Sequence, residues 1–196
     1  MSASLAVSVL ATNVAPMTWA ERYPEQKLVP YDSDWPSRYC RIEADLRPLL
    51  GPGWEFEHAG STSIPGLAAK PVIDVAMSMP QGVGSSEIRE RFRAAGWSDP
   101  TPVGDHLFTA VPAQGVRIAI GHIFTAAQWP EAHVRLFAAW LRAHDLDRDR
   151  CSSLKEDLVA QGVWSSAYTE SKGSFVLEIV NQARAELGLV ATRGPL

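Results

Sequence analysis

Between His58 and Val75 the chain reads HAGSTSIPGLAAKPVIDV, a stretch in which anion-binding groups and a carboxylate stand close together. Gly60 has no Cβ, so the backbone turns there and successive N–H groups can point at one anion. Ser61, Thr62 and Ser63 add hydroxyls. Pro65 and Gly66 stiffen and then turn the loop. Lys70 brings a compact positive charge. Asp74 follows inside an apolar run, where burial of a carboxylate is costly unless a metal or partner cation offsets it. Gly-Ser turns are common in ordinary loops, so the signal is the whole order: strand, Gly-Ser turn, lysine, then an aspartate on the next strand. That order suits phosphate binding, with the Asp74 charge offset by a divalent metal or a partner cation.

These residues need a frame to position them. Asp34 with Pro36 reads as a helix start, and Tyr39, Ile42, Leu46 and Leu49 as one apolar helix face ending at Gly51-Pro52-Gly53. Strands are expected at Trp54–His58 and Pro71–Met79, with a helix at Ser86–Ala95 that turns Ile88 and Phe92 inward. Leu107–Val111 and Val116–Phe124 read as an antiparallel pair around residues 112–115. Helices are expected at Pro130–His144, Arg150–Gln161 and Thr169–Leu187. The run Asp145–Arg150 alternates acids with Leu146, Arg148 and Arg150. It lacks the glycine and closing glutamate of a calcium loop, so it reads as a charged helix-linking loop. The sum is an α/β (α+β) fold: a mixed sheet with helices on one side and a helical C-terminal part. Residues 1–26 are expected to be a loose accessory segment, 27–187 the domain and 188–196 a tail.

The stretch and its flanks resemble the GrpB family, and through it the polymerase-beta-type nucleotidyltransferase superfold. The resemblance rests on the central run together with LVPYDSDWP, HIF and the later Trp129, RLFAAWLRAH, LKEDL and AYTESKGSFV, covering roughly Lys27 to Arg184. It implies that the Gly60-Ser61 turn holds nucleotide phosphates and that Asp74 binds Mg2+. His122 is implied as a second metal ligand or proton carrier. The family match adds Lys155 and Lys172 as phosphate contacts. The residues themselves offer Thr62, Ser63 and Lys70 at the turn, His58 to phosphate or to the loop backbone, and Arg117 as a bidentate phosphate ligand or a strand-edge charge. Relatives fused to dephospho-coenzyme A kinase point to a phosphorylated cofactor.

Departures from the pattern cut into the site. Two-metal nucleotidyl transfer usually shows Asp-x-Asp on one strand face, and here the partner of Asp74 is Ala76. Ile120 stands where relatives carry the first histidine of a pair, leaving His122. Ala138 and Ala139 replace an arginine and an aspartate. The resemblance therefore allows two readings: a Mg2+-dependent nucleotidyltransferase, or a module that binds a nucleotide or phosphorylated small molecule without turnover.

Composition bounds the alternatives. A net charge of −4 offers no general nucleic-acid surface, and no aromatic-and-basic run supports one. No stretch approaches the ~20 apolar residues of a membrane span. The start lacks the basic region of a signal peptide, and two widely spaced cysteines make no disulfide framework. Cytoplasmic residence with free thiols is the expectation.

Overall fold

The computed structural model describes residues 27–112, 116–163 and 165–193; the expected accessory segment 1–26 and the tip of the expected hairpin at 113–115 lie outside these. Among the described residues the elements are α1 (Trp35–Leu50), β1 (Glu55–Ala59), a 3-10 turn (Ser61–Ser63), β2 (Ile73–Met79), α2 (Ser85–Ala94), β3 (Thr101–Val103), β4 (His106–Val111) and β5 (Ala119–Thr125). A second 3-10 turn (Trp129–Glu131), α3 (His133–Ala143), α4 (Asp145–Ala160), α5 (Ser165–Ser171) and α6 (Gly173–Glu186) follow. The strands form one mixed sheet in the order β1-β2-β5-β4-β3. β2 and β5 are parallel, and the other neighbours are antiparallel. The parallel pair needs a long crossover. Here α2 and the β3–β4 hairpin supply it.

Strand alternation sorts the sheet into two faces. Ile73, Val75 and Met77 on β2 are fully buried, packing with Trp35, Tyr39, Leu46 and Leu50 of α1 and with Ile88 and Phe92 of α2. The opposite face carries Asp74, Ala76 and His122, and its apolar part (Ala59, Ala76, Phe124) packs on Trp129, Ala132 and Val134. Helices therefore cover both faces, not one. A third cluster joins Ile64 and Leu67 of the loop after the Gly-Ser turn to α3, α4 and α6. That cluster docks the helical C-terminal part onto the loop.

Three helix readings are corrected. The buried edge of α1 runs through Leu50, while Leu49 is exposed, because the spacing from Trp35 and Tyr39 through Leu46 continues to 50. The charged run at 145–150 is not a loop but the first turns of α4. Asp145 and Asp147 sit where the helix dipole favours anions, and Asp147 accepts from Trp140 Nε1 (2.7 Å). The single helix expected over 169–187 is two, α5 and α6, with Lys172 at their junction. Lys172 thereby stands in the turn between them, with its ammonium over the Tyr168 ring.

Candidate functional site

Gly60 leaves β1 at φ 62° and ψ −171°, a conformation that side-chain-bearing residues rarely adopt. A Cβ placed there would lie 2.0 Å from Asp74 Oδ2, so the Asp74 carboxylate rests directly on the Gly60 backbone. The register pairs Ala59 with Asp74, bringing the turn and the carboxylate together at one end of the sheet. His122 pairs with Ala76 on the same face, diagonal to Asp74. Its Nε2 lies 3.3 Å from Asp74 Oδ1, and its Nδ1 lies 3.1 Å from His106 Nε2.

Lysines approach the turn from the C-terminal helices. Lys155 of α4 is fully buried, and its Nζ donates to Ser61 Oγ (2.8 Å) and to the Ala68 carbonyl (2.9 Å). Burial pushes this ammonium below its usual range, with nearby Cys151 and Asp74 pulling the other way. Lys172 lies over the Tyr168 ring at 4.3 Å, and Lys70 over the same ring at 4.2 Å. Burial holds Lys172 down to about 8, and repulsion from Lys155 and Lys70 adds to the effect. Gly60, Ser61, Asp74, His122 and Lys172 line a cavity of about 620 Å³, closed on its other sides by His133 and Phe137 of α3 and by residues 169–177.

The remaining residues singled out from sequence stand elsewhere. His58 points to the opposite face of the sheet, stacked on Tyr39 at 4.9 Å with its Nε2 3.0 Å from Thr62 Oγ1. Burial, opposed by Asp74 and reinforced by Arg142, pushes it down to about 4, so it is neutral near pH 7. The Thr62 hydroxyl is engaged with that imidazole. Ser63 Oγ donates to the Gly60 carbonyl (2.7 Å) and braces the turn. Arg117 is exposed, with its guanidinium 5.3 Å from the Phe108 ring, and is not part of the cavity wall. Arg135 and Arg142 of α3 are also outside the cavity wall. Arg135 pairs with Glu57 (2.6 Å), and Arg142 donates to the His58 carbonyl and Ser63 Oγ, both at 2.9 Å. Thus Gly60, Ser61, Asp74, His122, Lys155 and Lys172 converge, while His58, Thr62 and Ser63 support the turn from behind.

Sequence reading missed His106 and His133. His106 begins β4 beside Asp105, and His133 begins α3. Neither belongs to a spaced motif; the β4–β5 pairing brings His106 to His122, and the packing of α3 brings His133 to His106. Burial pushes His133 down to about 4, helped by repulsion from His106 and His122, and lowers His106 as well.

The model of the GrpB family, described as "GrpB protein", matches residues 25–182. The chain belongs to the GrpB family. A UPF0157 protein of Halalkalibacterium halodurans is 30% identical over 165 residues, 81% of this chain and 82% of that protein. A GrpB crystal structure from Enterococcus faecalis superposes with a TM-score of 0.71 at 22% identity, covering 82% of this chain and 99% of that one; at this identity it speaks to the fold. A dephospho-CoA kinase of Mycolicibacterium paratuberculosis is 31% identical over 120 residues, 58% of this chain but 28% of that protein. Among the described residues no helix is long and apolar enough to cross a membrane, and both cysteines are unbridged.

Proposed function

We propose that the cavity binds a nucleotide or another phosphorylated small molecule, with phosphate at the Gly60-Ser61 turn between Lys155 and Lys172. The observation that carries this reading is the crowding of like charge at the turn: Lys155 donates to Ser61 Oγ, and Lys172, which lines the cavity with Gly60 and Ser61, feels the repulsion of Lys155. Such crowding costs stability unless an anion relieves it. The 3-10 turn adds N–H groups without intrahelical partners. The partial similarity to a dephospho-CoA kinase agrees with a phosphorylated ligand.

The nucleotidyltransferase fold and a Mg2+-dependent transfer belong to the same proposal. Magnesium takes oxygen ligands and is often held by one or two carboxylates plus substrate phosphates. One ion held by Asp74 and the ligand's own oxygens fits this donor set. A magnesium pair does not, because Ala76, beside His122 on the same face, offers no oxygen. His122 serves as the hydrogen-bond partner that orients Asp74. With the catalytic ion supplied, the chain's own part would be to position the phosphates and balance their charge. The missing second acid also favours a second reading, a module that binds the same ligand without turnover.

A panel of nucleoside mono-, di- and triphosphates in a thermal-shift assay separates these. Binding at about 100-fold excess over Kd stabilises by ~2.7 kcal/mol, which for a domain of this size is roughly 5–10 °C. Stabilisation that needs Mg2+ and disappears in Asp74→Ala, followed by pyrophosphate release from a triphosphate, supports transfer. Stabilisation indifferent to Mg2+ with no pyrophosphate supports the binding module. If neither nucleotides nor small phosphorylated metabolites shift the melting temperature, the proposal is wrong.

A pH titration gives a second test. Lys172 is held at about 8 in the folded chain against 10.5 for the ordinary lysine. Between those values the unfolded chain binds the extra proton, so this group's contribution to stability rises with pH. Ligand affinity moves the opposite way, because the ammonium that contacts phosphate is lost as pH passes 8. The expected result is a fall in affinity between pH 7 and 9.5 that is absent from Lys172→Gln. An identical profile in both proteins would remove Lys172 from the phosphate contacts.

A further inference from the structure

Beyond the proposed phosphate site, Asp105, His106 and His133 form a second cluster, the one group of three potential metal-ligating residues among the described residues. One ligand atom from each lies within 4.8 Å of the other two. Asp105 Oδ1 is 3.3 Å from His106 Nδ1 and 4.0 Å from His133 Nδ1. Four-coordinate zinc with Zn–N near 2.0–2.1 Å sets neighbouring donors about 3.3 Å apart, which is the present distance from Asp105 Oδ1 to His106 Nδ1; the other pairs, within 4.8 Å, close up by side-chain rotation.

Two observations point to a cation here. The Nδ1 of His133 is buried and has no hydrogen-bond partner among the described residues, although the His133 side chain is only 8% exposed. A buried ring nitrogen without a partner is costly, and this one faces the Asp105 carboxylate. The second observation is the geometry around His106: its Nδ1 lies 3.3 Å from Asp105 Oδ1 and its Nε2 lies 3.1 Å from His122 Nδ1, so the ring that would ligate a cation on one side is held by an imidazole on the other. The outer hydrogen bond from His106 to His122 is the type of contact that fixes the tautomer of a metal-bound histidine.

We infer that Asp105, His106 and His133 form a binding site for one divalent transition-metal ion of the zinc class. Two imidazoles and one carboxylate suit Zn2+ or Fe2+ and leave at least one position for water or ligand. A magnesium site would instead be made of oxygens. His133 also lines the cavity, so the ion would stand beside the proposed phosphate ligand, joined to Asp74 through His106 and His122.

The test uses the untagged full chain, stripped with a chelator and titrated with Zn2+ against a competing chromophoric chelator. Co2+ uptake is followed in parallel by visible absorption. Wild type is expected to take up about one equivalent, and Asp105→Ala and His133→Ala to bind more than ~100-fold more weakly. Asp105 is exposed, so its replacement keeps the test independent of folding at His133. His122→Ala is expected to weaken binding by roughly 10-fold through loss of the outer hydrogen bond, and Asp74→Ala to retain the full equivalent. No Zn2+ uptake by wild type would overturn the inference. So would uptake that survives both Asp105→Ala and His133→Ala. Loss in Asp74→Ala alone would place the metal at the phosphate site.

Discussion

Replacing Gly60 with alanine is expected to lower the melting temperature by roughly 6–12 °C, from a loss of about 3 kcal/mol. Two costs combine. The residue sits at φ 62° and ψ −171°, where an L side chain is strained. Its new methyl would also fall 2.0 Å from Asp74 Oδ2 and 2.8 Å from Asp74 Cβ, forcing the turn away from β2. Gly66 supplies the control, because it too has positive φ, 80°, yet an added Cβ there meets nothing within 4 Å. Gly66→Ala should cost only the conformational part, about 1 kcal/mol. Adding Asp74→Ala to Gly60→Ala should recover part of the loss, since the carboxylate atoms nearest the new methyl are gone. Equal melting temperatures for the two alanine variants would show that the close approach of turn and carboxylate does not hold. Ligand-induced stabilisation should vanish in Gly60→Ala even at temperatures where it remains folded.

The contrast between Gly60 and Gly66 also marks what the sequence can and cannot convey. The order of turn, lysine and strand aspartate was legible because each residue type has a narrow physical reason to stand where it does, and β2 carries an unmistakable apolar run. What the spacing could not tell is the face on which each side chain emerges. His58 and Asp74 both seemed equally close to the turn, yet one-residue alternation sends His58 to the Tyr39 side and leaves Asp74 facing the cavity. Lys155 and Lys172 were matched by resemblance alone. The arrival of Lys155 at Ser61 and of Lys172 at the cavity wall depends on how α4 and the α5–α6 junction pack, a long-range outcome that no local pattern encodes. The same applies to His106 and His133: the strand order sets His106 of β4 beside His122 of β5, and the packing of α3 on the sheet brings His133 to His106. The charged start of α4 failed for another reason: alternating acids and arginines have no apolar period, so the helix shows only in its dipole-compatible ends.

Lys155 provides the strongest separation of stability from function. Lys155→Met keeps most of the aliphatic stem in its packed position and removes the ammonium. A buried charge is expensive to maintain, and an apolar residue of similar volume is often as stable or more so. The variant is therefore expected to melt within a few degrees of wild type, or above it, with the Ala68 carbonyl losing one donor as the opposing cost. Affinity for the phosphorylated ligand should fall about 10- to 100-fold, the range for loss of one hydrogen bond to a charged group. Lys155→Ala differs by leaving a void beside Ser61 and should lose roughly 2–5 kcal/mol of stability in addition. Isothermal titration and thermal melting on the two variants read the two quantities independently. If methionine destabilises the fold as severely as alanine while ligand affinity is unchanged, the hydrogen bonds from Lys155 to Ser61 and Ala68 serve to hold the loop, and the lysine is structural. A stable methionine variant that no longer binds means the chain carries a buried ammonium at a standing energetic cost for the sake of its ligand.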